Sequence, residues 1–128
     1  MATSKNPEAV AYSHSTSGAA CSEGRVAVFD SAANTVKQAV AAGTTIPAGI
    51  FRADVGATDP SCTVYNKGIV PAVSGAAVTR GAQVSFDASG KVIDATTGKY
   101  VVGVAEEATT AADVMFPVRL TLDGQLAP

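Results

Sequence analysis

The chain has 128 residues and a nearly balanced charge, nine Lys and Arg against eleven Asp and Glu for a net of −2, which provides no basic stripe for a phosphate backbone. Its apolar content is mostly small, with 25 Ala and 17 Val against 3 Leu, 4 Ile, 4 Phe and no Trp, so one domain with a thin, valine-built core is expected. Scarce Leu, Glu, Lys and Arg argue against long helices, abundant Val, Thr and Gly argue for short strands, and no run reaches the roughly 18 apolar residues of a membrane span.

Residues 1–22 are rich in Ser, Thr, Ala and Gly and show no periodicity, which predicts a flexible N-terminal arm rather than an element. This stretch also lacks the apolar centre of a secretory signal, so synthesis and use without that export route are expected. Residues 23–128 then read as the β domain. Val26 and Val28, the turn Asp30 to Asn34, and Val36, Gln38 and Val40 form a hairpin pattern. Gly49 to Val55 follows as a strand after a loop carrying Pro47, and Asp59-Pro60 marks a turn because the residue before proline is held extended. Cys62, Val64 and Asn66 alternate with Thr63, Tyr65 and Lys67, while Pro71 assigns Ile69 to Val73 to a sheet edge or a bulge. Further on, Ala77 to Phe86, Lys91 to Ala95, Tyr100 to Glu106 and Val114 to Leu122 read as strands. Asp87-Ala88-Ser89-Gly90 has the composition of a tight turn, and Glu106 to Ala112 is read as a loop because Thr109 and Thr110 weaken a helix there.

The second half repeats the first. Gly24, Val28, Phe29, Asp30, Val36, Ala39, Gly49 and Ile50 recur as Gly81, Ser85, Phe86, Asp87, Val92, Ala95, Gly103 and Val104, and only Ser85 breaks the apolar match. Two related β units, 24–74 and 75–122, follow from this order, and the expected architecture is a small β-barrel or β-sandwich with an extended N-terminal arm.

Residues that carry chemistry elsewhere have plainer roles here. Asp30 and Asp87 occupy matching turn positions, Glu106 and Glu107 face opposite sides of a strand, and His14 lies in the arm, without the rigid scaffold a catalytic base needs. No enzyme activity, cofactor or metal is therefore expected. Cys21 and Cys62 are far apart in sequence without metal-ligand spacing and read as two partly buried thiols, with a disulfide as the alternative. Arg119, on the last strand, is either a solvated side chain or a bidentate partner for a carboxylate across an interface. Tyr65, Phe51 and Phe116 are divided in the same way between core and interface. The interface candidates are Arg119, Tyr65, Arg80, Tyr12 and His14.

The run Gly75-Ala76-Ala77-Val78-Thr79-Arg80-Gly81-Ala82-Gln83-Val84, then Phe86-Asp87-Ala88-Ser89-Gly90-Lys91-Val92, Val102-Gly103-Val104-Ala105-Glu106-Glu107-Ala108 and Val118-Arg119-Leu120, resembles the capsid cement, or head decoration, proteins of tailed bacteriophages. The resemblance implies a non-enzymatic protein made in the host bacterial cytoplasm that binds the exterior of the assembled capsid at capsomer junctions and stabilises it. Its implied partners are the major capsid protein and its own copies, a homotrimer before a dimer, with neither nucleic acid nor membrane. A β-sandwich module of a virion tail or adhesin, binding carbohydrate or a cell surface, is the alternative, and the absence of Trp platforms counts against it.

Overall fold

The computed structural model describes residues 8–14 and 20–128. Ten strands occur among them and no helix: β1 Glu8–His14, β2 Val26–Phe29, β3 Thr35–Gln38, β4 Pro47–Phe51, β5 Ser61–Lys67, β6 Ile69–Val73, β7 Gln83–Phe86, β8 Val92–Asp94, β9 Gly103–Ala105 and β10 Met115–Leu120. Turn chemistry sets their ends. Asn34 takes a left-handed backbone (φ 57) to close the β2–β3 hairpin, and Gly90 (φ 78) does so between β7 and β8.

The strands do not make one barrel. β1 to β5 close on themselves in the order β1-β3-β2-β4-β5, while β6 to β10 form an open sheet in the order β6-β10-β9-β7-β8. All pairings are antiparallel except β1 with β3, where Ser13 and His14 run alongside Thr35 and Val36. The open sheet lies against the outside of the ring, so the architecture is a sandwich with one layer rolled up.

Side-chain alternation explains why the layers stay together. In β2, Val26 and Val28 point out of the ring into the core shared with the open sheet, whereas Ala27 points into the ring interior. In β4, Ile50 and Phe51 divide in the same way. Both faces of β4 and of β2 up to Val28 are dry, which is why the segments read as near-continuous apolar runs. Phe51 fills the ring and Phe86 the shared core, both fully buried, and each contributes about 3 kcal/mol of transfer free energy.

The repeat extends to pairing and register. The order β3-β2-β4-β5 in the first unit matches β8-β7-β9-β10 in the second. Phe29 opposes Val36 as Phe86 opposes Val92, and Ala27 opposes Gly49 as Val84 opposes Gly103. Both glycines permit the same close approach: a Cβ on Gly49 would run into the Tyr65 carbonyl, and one on Gly103 into the Arg119 carbonyl. The units nevertheless bury their matching faces differently. Ala27, Val36, Ala48, Phe51 and Val64 line the ring interior, and their counterparts Val84, Val92, Val102, Ala105 and Val118 pack against the outside of the ring. The units therefore stack as successive layers, the second unit's inner face on the first unit's outer face.

Several strand assignments differ from the sequence reading: β7 begins at Gln83 rather than Ala77, β4 runs Pro47–Phe51 rather than Gly49 to Val55, and β1 and β9 differ as well. Glu8–His14 lies in the stretch read as an arm rather than an element, yet it pairs along β5 and closes the ring against β3. An Ala-rich sequence carries little alternation of its own, and this strand is specified by the two unpaired edges it satisfies. Of the rest of the arm, residues 1–7 and 15–19 lie outside the described residues, and Cys21 bridges to Val55 through the backbone. β9 is also shorter than expected, because Val101 and Val102 pair with Gln125 and Val84 outside the ladder. Pro71 lies on the edge strand β6, opposite Pro117 of β10, where neither residue has to donate.

Candidate functional site

Opposed residues of an antiparallel pair share a face, so the registers define the outer surface of the open sheet. One row runs Gln83, Val104, Arg119, Ile69, and beyond it lie the pairs Pro117 with Pro71 and Met115 with Val73. Ile69, Pro71, Val73 and Val104 are half-buried, Met115 is 48% exposed and Pro117 is buried, and the chain at Gly24 lies against Val73 and Met115; the rest of this largely apolar surface carries no further sheet among the described residues.

Two arginines converge at its margin. The Arg119 Nε donates to Glu106 Oε2 at 2.8 Å, and the Arg80 Nε donates to the Glu106 carbonyl at 3.0 Å. Glu106 therefore orients both guanidinium groups through their inner nitrogens. Among the described residues the outer Nη groups of both arginines have no protein partner, and a shallow depression of about 310 Å3 floored by Gly81, Val104 and Ala105 lies beside them. The sequence reading selected both arginines but took Glu106 as a solvated strand residue. It sits one residue past the end of β9, where the strand alternation no longer governs its direction.

The other interface candidates lie elsewhere. Tyr12 packs edge-on against Phe29, ring centres 6.2 Å apart, at an open groove of about 440 Å3 whose walls include Ile46, Leu122 and Asn66. The Asn66 Oδ1 is buried beside this groove without a hydrogen-bond partner among the described residues. Tyr65 packs against the shared core next to Ile50 and Phe51 joins the ring interior, so neither belongs to the outer face. His14 pairs through its backbone with Val36, and its side chain lies outside the described residues.

The carboxylates of the two repeat turns hold backbone. Asp87 Oδ1 accepts from the Ser89 and Lys91 amides, each at 2.9 Å, and Asp30 Oδ1 accepts from the Ser31 amide at 2.8 Å. The Asp87 turn also locks the units together: the Gly90 carbonyl accepts from Val26 N–H at 2.8 Å, and the Ser89 carbonyl from Arg25 and Gln38. Cys21 and Cys62 are not joined in a disulfide, and both thiols are buried in the ring interior. Burial, followed by the neighbouring Cys21, pushes the Cys62 thiol up to about 11, and burial raises Cys21 as well. A hydrogen bond and charge from Lys91 hold the Asp113 carboxyl below its ordinary value, tying the 107–114 loop to β8.

A sequence profile described as phage cement protein matches residues 48–120, from β4 to the end of β10. No curated protein matches the chain. Among solved structures, the fold is similar to the N base of the head fiber gp8.5 of bacteriophage phi29, with a TM-score of 0.67 over 93% of this chain and 98% of that one at 13% identity.

Proposed function

The chain belongs to the phage cement protein family and is a structural protein associated with a phage capsid, and we propose that it binds the outer surface of the assembled shell at capsomer junctions and stabilises it there. The observation that carries this reading is the family match across seven of the ten strands, β4 to β10. The partner in this reading is the major capsid protein, joined by further copies of the chain as a homotrimer. The protein acts without catalysis, and the backbone roles of Asp30 and Asp87 support this. Sharing its fold with a head-fiber base fits attachment at the virion exterior. The chain is then made in the host cytoplasm and acts on the finished shell.

The physical effect is one of mass action. A protein that binds only the assembled shell shifts its equilibrium by RT ln(1 + [L]/Kd) per site, about 2.7 kcal/mol at a hundredfold excess over Kd, and many sites add. A rigid, edge-protected body suits this task. Pro71 blunts the β6 edge, and the Gly75 amide bonds to the Val92 carbonyl over the β8 edge. Electron microscopy of capsids assembled with and without the protein provides the test: added external density at capsomer junctions is expected, and its absence refutes the proposal.

The half-buried Tyr12 and exposed Phe29 rings at the open groove favour a second reading, a carbohydrate- or surface-binding module. Glycan-array binding lost on Tyr12→Ala would support it.

A further inference from the structure

We infer that the outer face of β6, β10 and β9, with Arg80 and Arg119 at its margin, is the surface that meets the capsid, and that it takes an apolar patch of the capsid subunit carrying an Asp or Glu side chain. The inference rests on the proposed capsid function and specifies which side of the molecule performs it.

Three observations support it. The first comes from the repeat. The counterparts of this face in the first unit are Val26, Val28, Ile50 and Tyr65, which lie beneath the second unit in the shared core. In the second unit the same positions hold Gln83, Ser85, Val104 and Arg119; Ser85 is buried beneath the chain at Gly43, and no further sheet lies over the other three among the described residues. The fold thus already uses this face once as a stacking surface. Its second copy retains Val104 and adds Ile69, Pro71 and Met115, while Gln83 and Arg119 keep it soluble when uncovered.

The second observation is the state of the arginines. Both spend Nε on Glu106 while their Nη groups have no partner among the described residues, so Glu106 biases both side chains toward one arrangement before a partner arrives. A pre-oriented guanidinium fork matches a carboxylate in two-point geometry and loses little side-chain entropy on binding. The third is charge. Glu106 is already committed to Arg119, and a second copy meeting this face with its own would bring two arginine pairs together. An acidic partner meets complementary charge instead. Pro71 on the β6 edge and the Gly75 to Val92 bond at the β8 edge work against strand addition, which favours attachment through the face.

The test is co-sedimentation of purified protein with capsids assembled without it, using Arg80→Glu/Arg119→Glu, Arg119→Lys, and Ile46→Asp in the Tyr12–Phe29 groove as comparator. Reversal at both arginines is expected to weaken binding about 100-fold or more, and Arg119→Lys about tenfold because the fork is lost, at an unchanged melting temperature. Ile46→Asp is expected to bind as wild type. Hydrogen exchange on the wild-type complex supplies a readout that does not depend on variant folding: protection on capsid binding should map to 69–73, 103–106 and 115–119. Full binding by the double reversal, protection at the groove instead, or loss of self-association rather than capsid affinity overturns the assignment. A wild-type protein that does not sediment with capsids overturns the proposed function itself.

Discussion

Adding a single methyl group at Gly103 should be among the costliest changes available in this chain. Gly103 opens β9 with an ordinary backbone conformation, so the cost is purely steric. A Cβ there would overlap the Arg119 carbonyl oxygen, carbonyl carbon and the Leu120 Cα, all of them backbone. No rotamer change relieves this, because β10 is held by β6 on one side and β9 on the other, and by the Glu106 amide on the Pro117 carbonyl and the Thr121 amide on the Val102 carbonyl, each at 3.0 Å. The strands must separate, losing two or three ladder bonds at about 1 kcal/mol each and adding about 1–2 kcal/mol of overpacking strain. The sum, about 3–5 kcal/mol, is a large share of the roughly 6–19 kcal/mol expected for a domain this size. Thermal unfolding followed by circular dichroism should show Gly103→Ala melting about 12–20 °C lower. Gly98→Ala is the control, since nothing lies within 4 Å of its added Cβ and only its left-handed backbone (φ 82) is strained, at about 1 kcal/mol. If Gly103→Ala costs no more than Gly98→Ala, the close approach of β9 and β10 is wrong, and the repeat correspondence with Gly49 and Tyr65 loses its physical basis.

Other consequences can be measured on the same protein. Ser85 is 1% exposed and its hydroxyl has no partner among the described residues, so Ser85→Ala should raise stability by about 1 kcal/mol in urea unfolding, whereas a loss would show that the hydroxyl is bonded. Cys62 titrates near 11 in the folded protein, above its ordinary value, so its contribution to stability is intact below about pH 9 and declines as pH rises toward 11. Thiol reagents at pH 8 should label neither cysteine until the protein unfolds, and rapid native labelling would contradict the buried ring interior. Asp113 is held below its ordinary value by Lys91, so its contribution is present above the usual carboxylate range and lost as pH falls through its folded value. Asp113→Asn should therefore flatten the acid limb of the stability profile, and an unchanged limb would assign that limb to other carboxylates.

How far each feature could be read in advance depends on the range of the interactions that specify it. The β2–β3 hairpin, the Asp87 to Gly90 turn and the edge placement of Pro71 were visible in the residues, because neighbours within a few positions set them: alternation of Val with polar residues, a carboxylate bonding amides just ahead, a ring that cannot donate. The matching of Phe29 with Phe86 and of Gly49 with Gly103 was visible for the same local reason, since each unit carries its own pattern. Tertiary structure alone decided that the first unit rolls into a ring, with a weakly patterned strand, Glu8–His14, recruited by the edges of β3 and β5. It alone decided that the second unit lies on the outside of that ring, leaving the row Gln83, Val104 and Arg119 of its outer face without a further sheet among the described residues. Glu106 gathers Arg80 and Arg119 from positions 26 and 13 residues away, a convergence that no local pattern encodes because the sheet register brings them together.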